Sequence, residues 1–199
     1  MNNCYLDAEA VITFFRMTGR KHIFITGSRG SGKSHLVNNM LKHMSDSFNL
    51  LQSHRTDTPQ VVIKSNLVAD NKEFVIGVPR TSGINPASKG NNMTIIEDGF
   101  INCAIPAIDT HLDTTPERLF VIDELGYLES SCIPFQKAVE KLLDNSHVLA
   151  VIRKQSTEFL NRICNRRDVL VIDIDKTFET LSCIIMASGM SKRFGSNKL

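Results

Sequence analysis

The chain has 199 residues, 42% hydrophobic and 22% charged, which suits one well-buried globular domain and is marginal for two. Its 23 basic and 21 acidic residues are interleaved and leave a net charge of +2, so charge gives no reason to expect a nucleic-acid or membrane-surface partner. The apolar runs at 119–122 and 148–152 fall far short of a bilayer span, and the N-terminus lacks a basic n-region.

The elements follow in chain order. Residues 7–17 carry Ala8, Val11, Ile12 and Phe15 at helical spacing, with Asp7 placed as N-cap, and predict a helix. Residues 22–26 form a short apolar run ending in a glycine-rich turn, as a buried parallel strand does. A second helix is expected over 33–44, with Leu36, Val37, Met40, Leu41 and Met44 on one face. Residues 61–64 and 74–78 read as a hairpin turning at Asp70-Asn71-Lys72, and 80–92, rich in Ser, Gly, Asn and Pro, as a mobile loop. A helix over 100–110 that runs through Pro106 and a strand at 119–122 come next. The remainder alternates: helix 134–143, strand 148–152, helix 157–165, strand 169–174. That alternation predicts an α/β fold, a mainly parallel sheet with helices on both faces and a β-hairpin insertion.

Five cysteines (Cys4, Cys103, Cys132, Cys164, Cys183) are odd in number and form no CxxC pair, so neither a zinc site nor a disulfide framework is expected. Reduced thiols in a cytoplasmic protein are the natural reading.

Between the first strand and the second helix stands Gly27-Ser28-Arg29-Gly30-Ser31-Gly32-Lys33-Ser34, which satisfies G-x-x-x-x-G-K-[ST] at every fixed position. Glycines let successive amide N–H groups point at phosphates, and the following helix adds the positive end of its dipole. Lys33 is assigned to the β- and γ-phosphates of a nucleoside triphosphate such as ATP or GTP, and the Ser34 hydroxyl to Mg²⁺. His35 adjoins the loop, and Arg29 could reach a γ-phosphate from within it. Leu119-Phe-Val-Ile is followed by Asp123 and Glu124. In a P-loop protein, a carboxylate at a neighbouring strand end holds Mg²⁺ through water, which fits Asp123; Glu124 is placed to orient or deprotonate the attacking water.

The stretch from Leu119 through Asp123-Glu124-Leu-Gly-Tyr-Leu-Glu129-Ser, with Phe135 and Val148-Leu-Ala-Val-Ile beyond it, resembles the small P-loop nucleoside-triphosphatases first named from thermophiles, a family that includes the human cancer-related enzyme. The segment 104–108 is similar too, and the resemblance spans roughly 22–175. It implies a compact α/β domain that hydrolyses several NTPs slowly with weak base selectivity, and it carries over Lys33, Ser34, Asp123 and Glu124. The chain departs from the family at Arg29-Gly30, where Pro-Gly is usual, and keeps only part of a glycine- and arginine-bearing pattern over 71–77.

A second resemblance lies at 184–198, where Gly189, Ser191, Arg193, Gly195 and Lys198 match the opening signature of nucleotidyltransferases that act on the molybdenum cofactor; Ser188 and Phe194 depart from it. The expected organisation is an N-terminal helix (1–20), a P-loop NTPase domain (21–176), and a linker with the truncated start of a fused or partner nucleotidyltransferase domain (177–199). Two other functions stay open beside hydrolysis: a small-molecule kinase, and a nucleotide-dependent switch in molybdenum-cofactor assembly. The six histidines show no metal-ligand spacing, and Arg162 with Arg166-Arg167 reads as a solvated basic face in preference to a kinase lid.

Overall fold

The structure is a computed structural model that describes residues 6–44, 47–80 and 93–176. Helix α1 (Ala8–Thr18) begins where the Asp7 carboxylate accepts the Ala10 N–H at 3.1 Å, and ends at Gly19, whose φ of 64° lets its N–H turn back to the Arg16 carbonyl. Strand β1 (His22–Gly27) follows, then α2 (Lys33–Met44). Next come β2 (Phe48–Arg55), β3 (Val61–Ser65), β4 (Phe74–Pro79) and β5 (Met93–Ile95). The remaining elements are α3 (Glu97–Gly99), α4 (Ile105–Thr114), β6 (Leu119–Leu125), α5 (Ile133–Asn145), β7 (His147–Arg153), α6 (Glu158–Cys164) and β8 (Val169–Asp173).

The eight strands of the described residues join one sheet in the order β5-β4-β3-β2-β6-β7-β1-β8. From β2 to β8 every pairing is parallel, and β3, β4 and β5 extend it as antiparallel strands. The α/β class therefore holds, with the hairpin region wider than expected: β3 and β4 do pair, but β2 and β5 flank them and were not foreseen. The helix expected over 100–110 is longer and interrupted. Residues Phe100–Ala104 form a π-type turn in which the Ile105 N–H reaches back to the Phe100 carbonyl, and Pro106, which has no N–H to give, stands in the first turn of α4.

Side chains alternate across the sheet and build two cores. On one face Ile23, Ile25, Val121, Leu149, Val151 and Ile172 pack under α1 and α2. On the other, Phe24, Phe120, Ile122, Ala150 and Ile152 pack under the helical run from residue 100 to 114, α5 and α6. At the sheet end where β2 begins, buried Asn49 bonds to His111 Nδ1 and Thr115 Oγ1, both at 2.8 Å, while His111 Nε2 pairs with Ser146 Oγ at 2.6 Å. Among the described residues Cys103, Cys132 and Cys164 are free thiols; Cys4 and Cys183, the 81–92 stretch and the segment 184–198 lie outside the described residues. No described helix is long and apolar enough to cross a membrane.

Candidate active site

Because β6, β7, β1 and β8 run parallel, their C-terminal ends share one edge of the sheet, where ligands of open α/β sheets bind. The loop from Gly27 to Ser34 leaves β1 at that edge. Gly30 and Gly32 take φ of 75° and 92°, which a side chain would strain. A Cβ at Gly27 would fall 2.7 Å from Ile174 Cγ1 and 2.8 Å from Ser31 Oγ, so the loop leaves the sheet only as glycine. Ser31 Oγ donates to the Ser28 carbonyl at 2.7 Å, and Lys33 Nζ donates to the Gly27 and Ser28 carbonyls at 3.0 and 2.8 Å. The first turn of α2 carries no acidic residue, so the positive end of the helix stays uncompensated toward an incoming anion.

Asp123 closes the site from β6. Its carboxylate lies near Ser34 and near Gln52, its register partner on β2, and both favour its charged form. Burial pushes the Asp123 carboxyl up, and the Glu124 charge adds to this; the bonds from Gln52 and Ser34 and the Lys33 ammonium pull the other way. A hydroxyl and a carboxylate offer the hard oxygen donors that Mg²⁺ prefers, so the residues present fit that ion. Among the described residues there is no group of three or more His, Cys, Asp or Glu able to hold a metal.

In the β6/β7 register Asp123 faces Val151 and Leu125 faces Ile152, leaving Glu124 between them without a partner; the Asp123–Glu124 peptide is cis. The Glu124 carboxylate meets Arg153, the last residue of β7: Nε and Nη2 both lie 2.5 Å from Glu124 Oε1. Arg153 is in turn the register partner of Gly27. On the far side of the loop Asp175 Oδ2 accepts the Ser28 N–H at 2.8 Å and the Ser28 hydroxyl at 2.7 Å. Lys154 Nζ sits 2.9 Å from carboxylate oxygens of both Asp173 and Asp175. The Ser28 bonds, then Lys154, hold the Asp175 carboxyl down at about 2.

A cleft of 840 Å³ opens over these groups, lined by the eight loop residues, His35, Arg55, Glu124, Arg153, Lys154 and Gln155. Every residue singled out in the loop, His35 included, lines it, as does Glu124; Asp123 does not line it and lies behind, near Ser34. Arg162 and Arg166 do not line it. They are ion-paired, Arg162 to Glu140 and Arg166 to Asp168 and Asp144, so these arginines tie α6 and its exit to the neighbouring helix instead of forming a bare basic face. Sequence reading missed Gln52, Arg153, Lys154 and Asp175. For Arg153, Lys154 and Asp175 the signal was positional, at or just past the end of an apolar strand that shares the loop's edge; Gln52, inside β2, carried none.

The family described as NTPase matches residues 22–180. The chain belongs to that family. It is a nucleoside-triphosphatase, and curated relatives agree: nucleoside-triphosphatase THEP1 of Thermotoga sp. strain RQ2 is 26% identical over 156 residues, covering 77% of this chain and 86% of that protein. The Thermotoga maritima THEP1 is 23% identical over 155 residues, with 77% and 86% covered. In three dimensions this NTPase is similar to the crystal structure of THEP1 from Aquifex aeolicus, with TM-score 0.61 and 18% identity over 82% of this chain and 96% of that one. The solution structure of a human cancer-related nucleoside triphosphatase gives TM-score 0.57 and 18% identity over 85% and 100%. These two likenesses bear on the fold. The family match ends at residue 180, so it lends no support to the nucleotidyltransferase resemblance at 184–198.

Proposed function

We propose that this NTPase hydrolyses the γ-phosphate of ATP, GTP and other nucleoside triphosphates with Mg²⁺, and that residues 21–176 form the catalytic unit. The observation that carries the reading is the single cleft lined by the whole loop, Lys33 and Ser34 included, and by Glu124, with Asp123 beside Ser34. Lys33 and the loop amides draw the triphosphate into line and take up charge as it develops on the phosphates. Ser34 and Asp123 would hold Mg²⁺, which would supply charge neutralisation to the phosphates when bound. Glu124 accepts a proton from water as the water oxygen bonds to the γ-phosphorus; the bond from that phosphorus to the bridging oxygen breaks, and its electron pair leaves with the diphosphate. The loop and Lys33 grip phosphates alone, which accords with weak base selectivity.

Phosphate release from the purified protein, measured with each common NTP and with or without hydroxyl acceptors, tests this. Lys33→Ala should abolish hydrolysis and weaken nucleotide binding while the fold persists; undiminished rates would remove the claim. Diphosphate appearing only with an acceptor would make the protein a kinase instead.

A further inference from the structure

We propose that Arg153 is a further catalytic residue, leaving Glu124 to bind the γ-phosphate of the bound nucleotide and stabilise the charge of the transferred group. The inference rests on the hydrolytic reading above and adds a residue to it. The argument is one of place. In the sheet β7 lies between the acidic strand β6 and the loop strand β1, and Arg153 is the β7 residue level with Gly27. Its guanidinium is thereby set between the phosphate loop and the water-activating carboxylate, in the cleft that both line. A γ-phosphate held by the loop and attacked by water on Glu124 must pass through that space.

The second strand of the argument is chemical. Two guanidinium N–H groups converge on one Glu124 oxygen at 2.5 Å. The Glu124 oxygen that meets Arg153 is occupied by the guanidinium, so a water molecule can reach it only when the pair parts. A γ-phosphate offers more charge and three acceptor oxygens, and the planar fork of arginine fits it in bidentate fashion. The Arg153 side chain is 45% exposed, so little packing opposes the exchange. Of the neighbouring cations, Lys154 is ion-paired to Asp173 and Asp175, while Lys33 keeps the phosphate role given above; Arg153 is the cation set against Glu124. Arg153 keeps all its protons throughout; bond making and breaking proceed as described for the hydrolysis. One movement thus both frees the base and places a positive charge on the group being transferred. A diphosphate, lacking the γ-group, leaves the Arg153–Glu124 pair closed.

The test uses the full chain with Arg153→Ala and, to preserve side-chain bulk, Arg153→Gln. Phosphate release gives kcat and KM, and a fluorescent nucleoside diphosphate is titrated with and without aluminium fluoride, which mimics the transferred group. Both variants should lose about 100- to 1,000-fold in kcat, with KM changed less than about threefold. Diphosphate affinity should stay within about twofold, which also shows the fold intact, while the tightening by aluminium fluoride disappears. Placing Arg153→Ala in a Glu124→Gln background separates contact from positioning: an arginine that touches phosphate still contributes to the aluminium fluoride complex there, and one that only holds Glu124 does not. Turnover within about threefold of the parent, or aluminium fluoride tightening unaltered, would overturn the inference. If Lys33→Ala and Glu124→Gln lose turnover and the Arg153 variants do not, this inference alone fails. If all of them hydrolyse at the parental rate, the hydrolytic reading fails with it.

Discussion

Replacing Glu129 with glutamine should remove a pH-dependent loss of stability. Glu129 lies in the turn after β6, only 5% exposed, and its Oε2 accepts the Gly126 N–H at 2.9 Å. Burial pushes its carboxyl up from 4.5 to about 7; the bonds from its own and the Gly126 amides and the Arg153 charge oppose the rise, and the Glu124 charge adds to it. Between those pH values the folded protein keeps a proton that the unfolded chain has released. Its contribution is therefore fully present below pH 4.5 and declines as pH rises toward 7. At roughly 1.4 kcal/mol per pH unit, the loss amounts to about 3 kcal/mol. Glutamine keeps an acceptor for Gly126 and has no proton to lose. In the parent the effect is masked by His22, which is fully buried and lowered to about 4, chiefly by burial, so that its contribution grows as pH rises from 4 to 6.5. The difference between variant and parent isolates Glu129. Urea unfolding at a series of pH values should give a free-energy difference that climbs by about 3 kcal/mol from acid to neutral pH in favour of Glu129→Gln. A difference that stays flat across that range would refute the reasoning.

The two carboxylates of β6 should separate. Asp123→Asn should impair Mg²⁺-dependent nucleotide binding and turnover together, whereas Glu124→Gln should retain binding and lose turnover by about 100- to 10,000-fold; fluorescent-nucleotide titration beside phosphate release reads both, and a parental rate in Glu124→Gln would sink the base assignment. Gly99→Ala should cost about 1–3 kcal/mol, because its Cβ would stand 2.4 Å from the Val75 carbonyl oxygen and 2.7 Å from Ile76 Cγ2. An unchanged urea midpoint would contradict the packing.

What was legible in the sequence were the elements whose residues serve a single purpose. Strand β1 reads as an apolar run because both its faces are buried, and α1 reads from its Asp7 cap and four-residue spacing. Strand β2 escaped because it serves two ends. Its Asn49 is buried for the sake of His111 and Thr115, and its Gln52 is turned to Asp123, so polar residues interrupt the pattern on both sides of Leu51. Strand β5, with three residues, is too short to carry a periodicity. The phosphate loop was readable down to single residues because backbone geometry dictates glycine there. Arg153 and Asp175 were not, because their importance comes from strand order, and no local spacing encodes which strand end will lie beside Gly27.

Strand order also governs how the molecule can be made. Strand β1 finds its neighbours only in β7 and β8, and the His22 ring receives the Val148 N–H from 126 residues further along the chain. Closing a loop of that length costs about 4 kcal/mol of chain entropy beyond a constant, before any pairing offsets it. The phosphate loop is thus synthesised well before the strands that surround it. Until residues 147–173 have emerged, β1 is an apolar strand with two unpaired edges, the kind of segment that invites mispairing. Nucleotide in the surroundings can favour only chains in which that late pairing is complete, and by mass action it draws the folding equilibrium toward them.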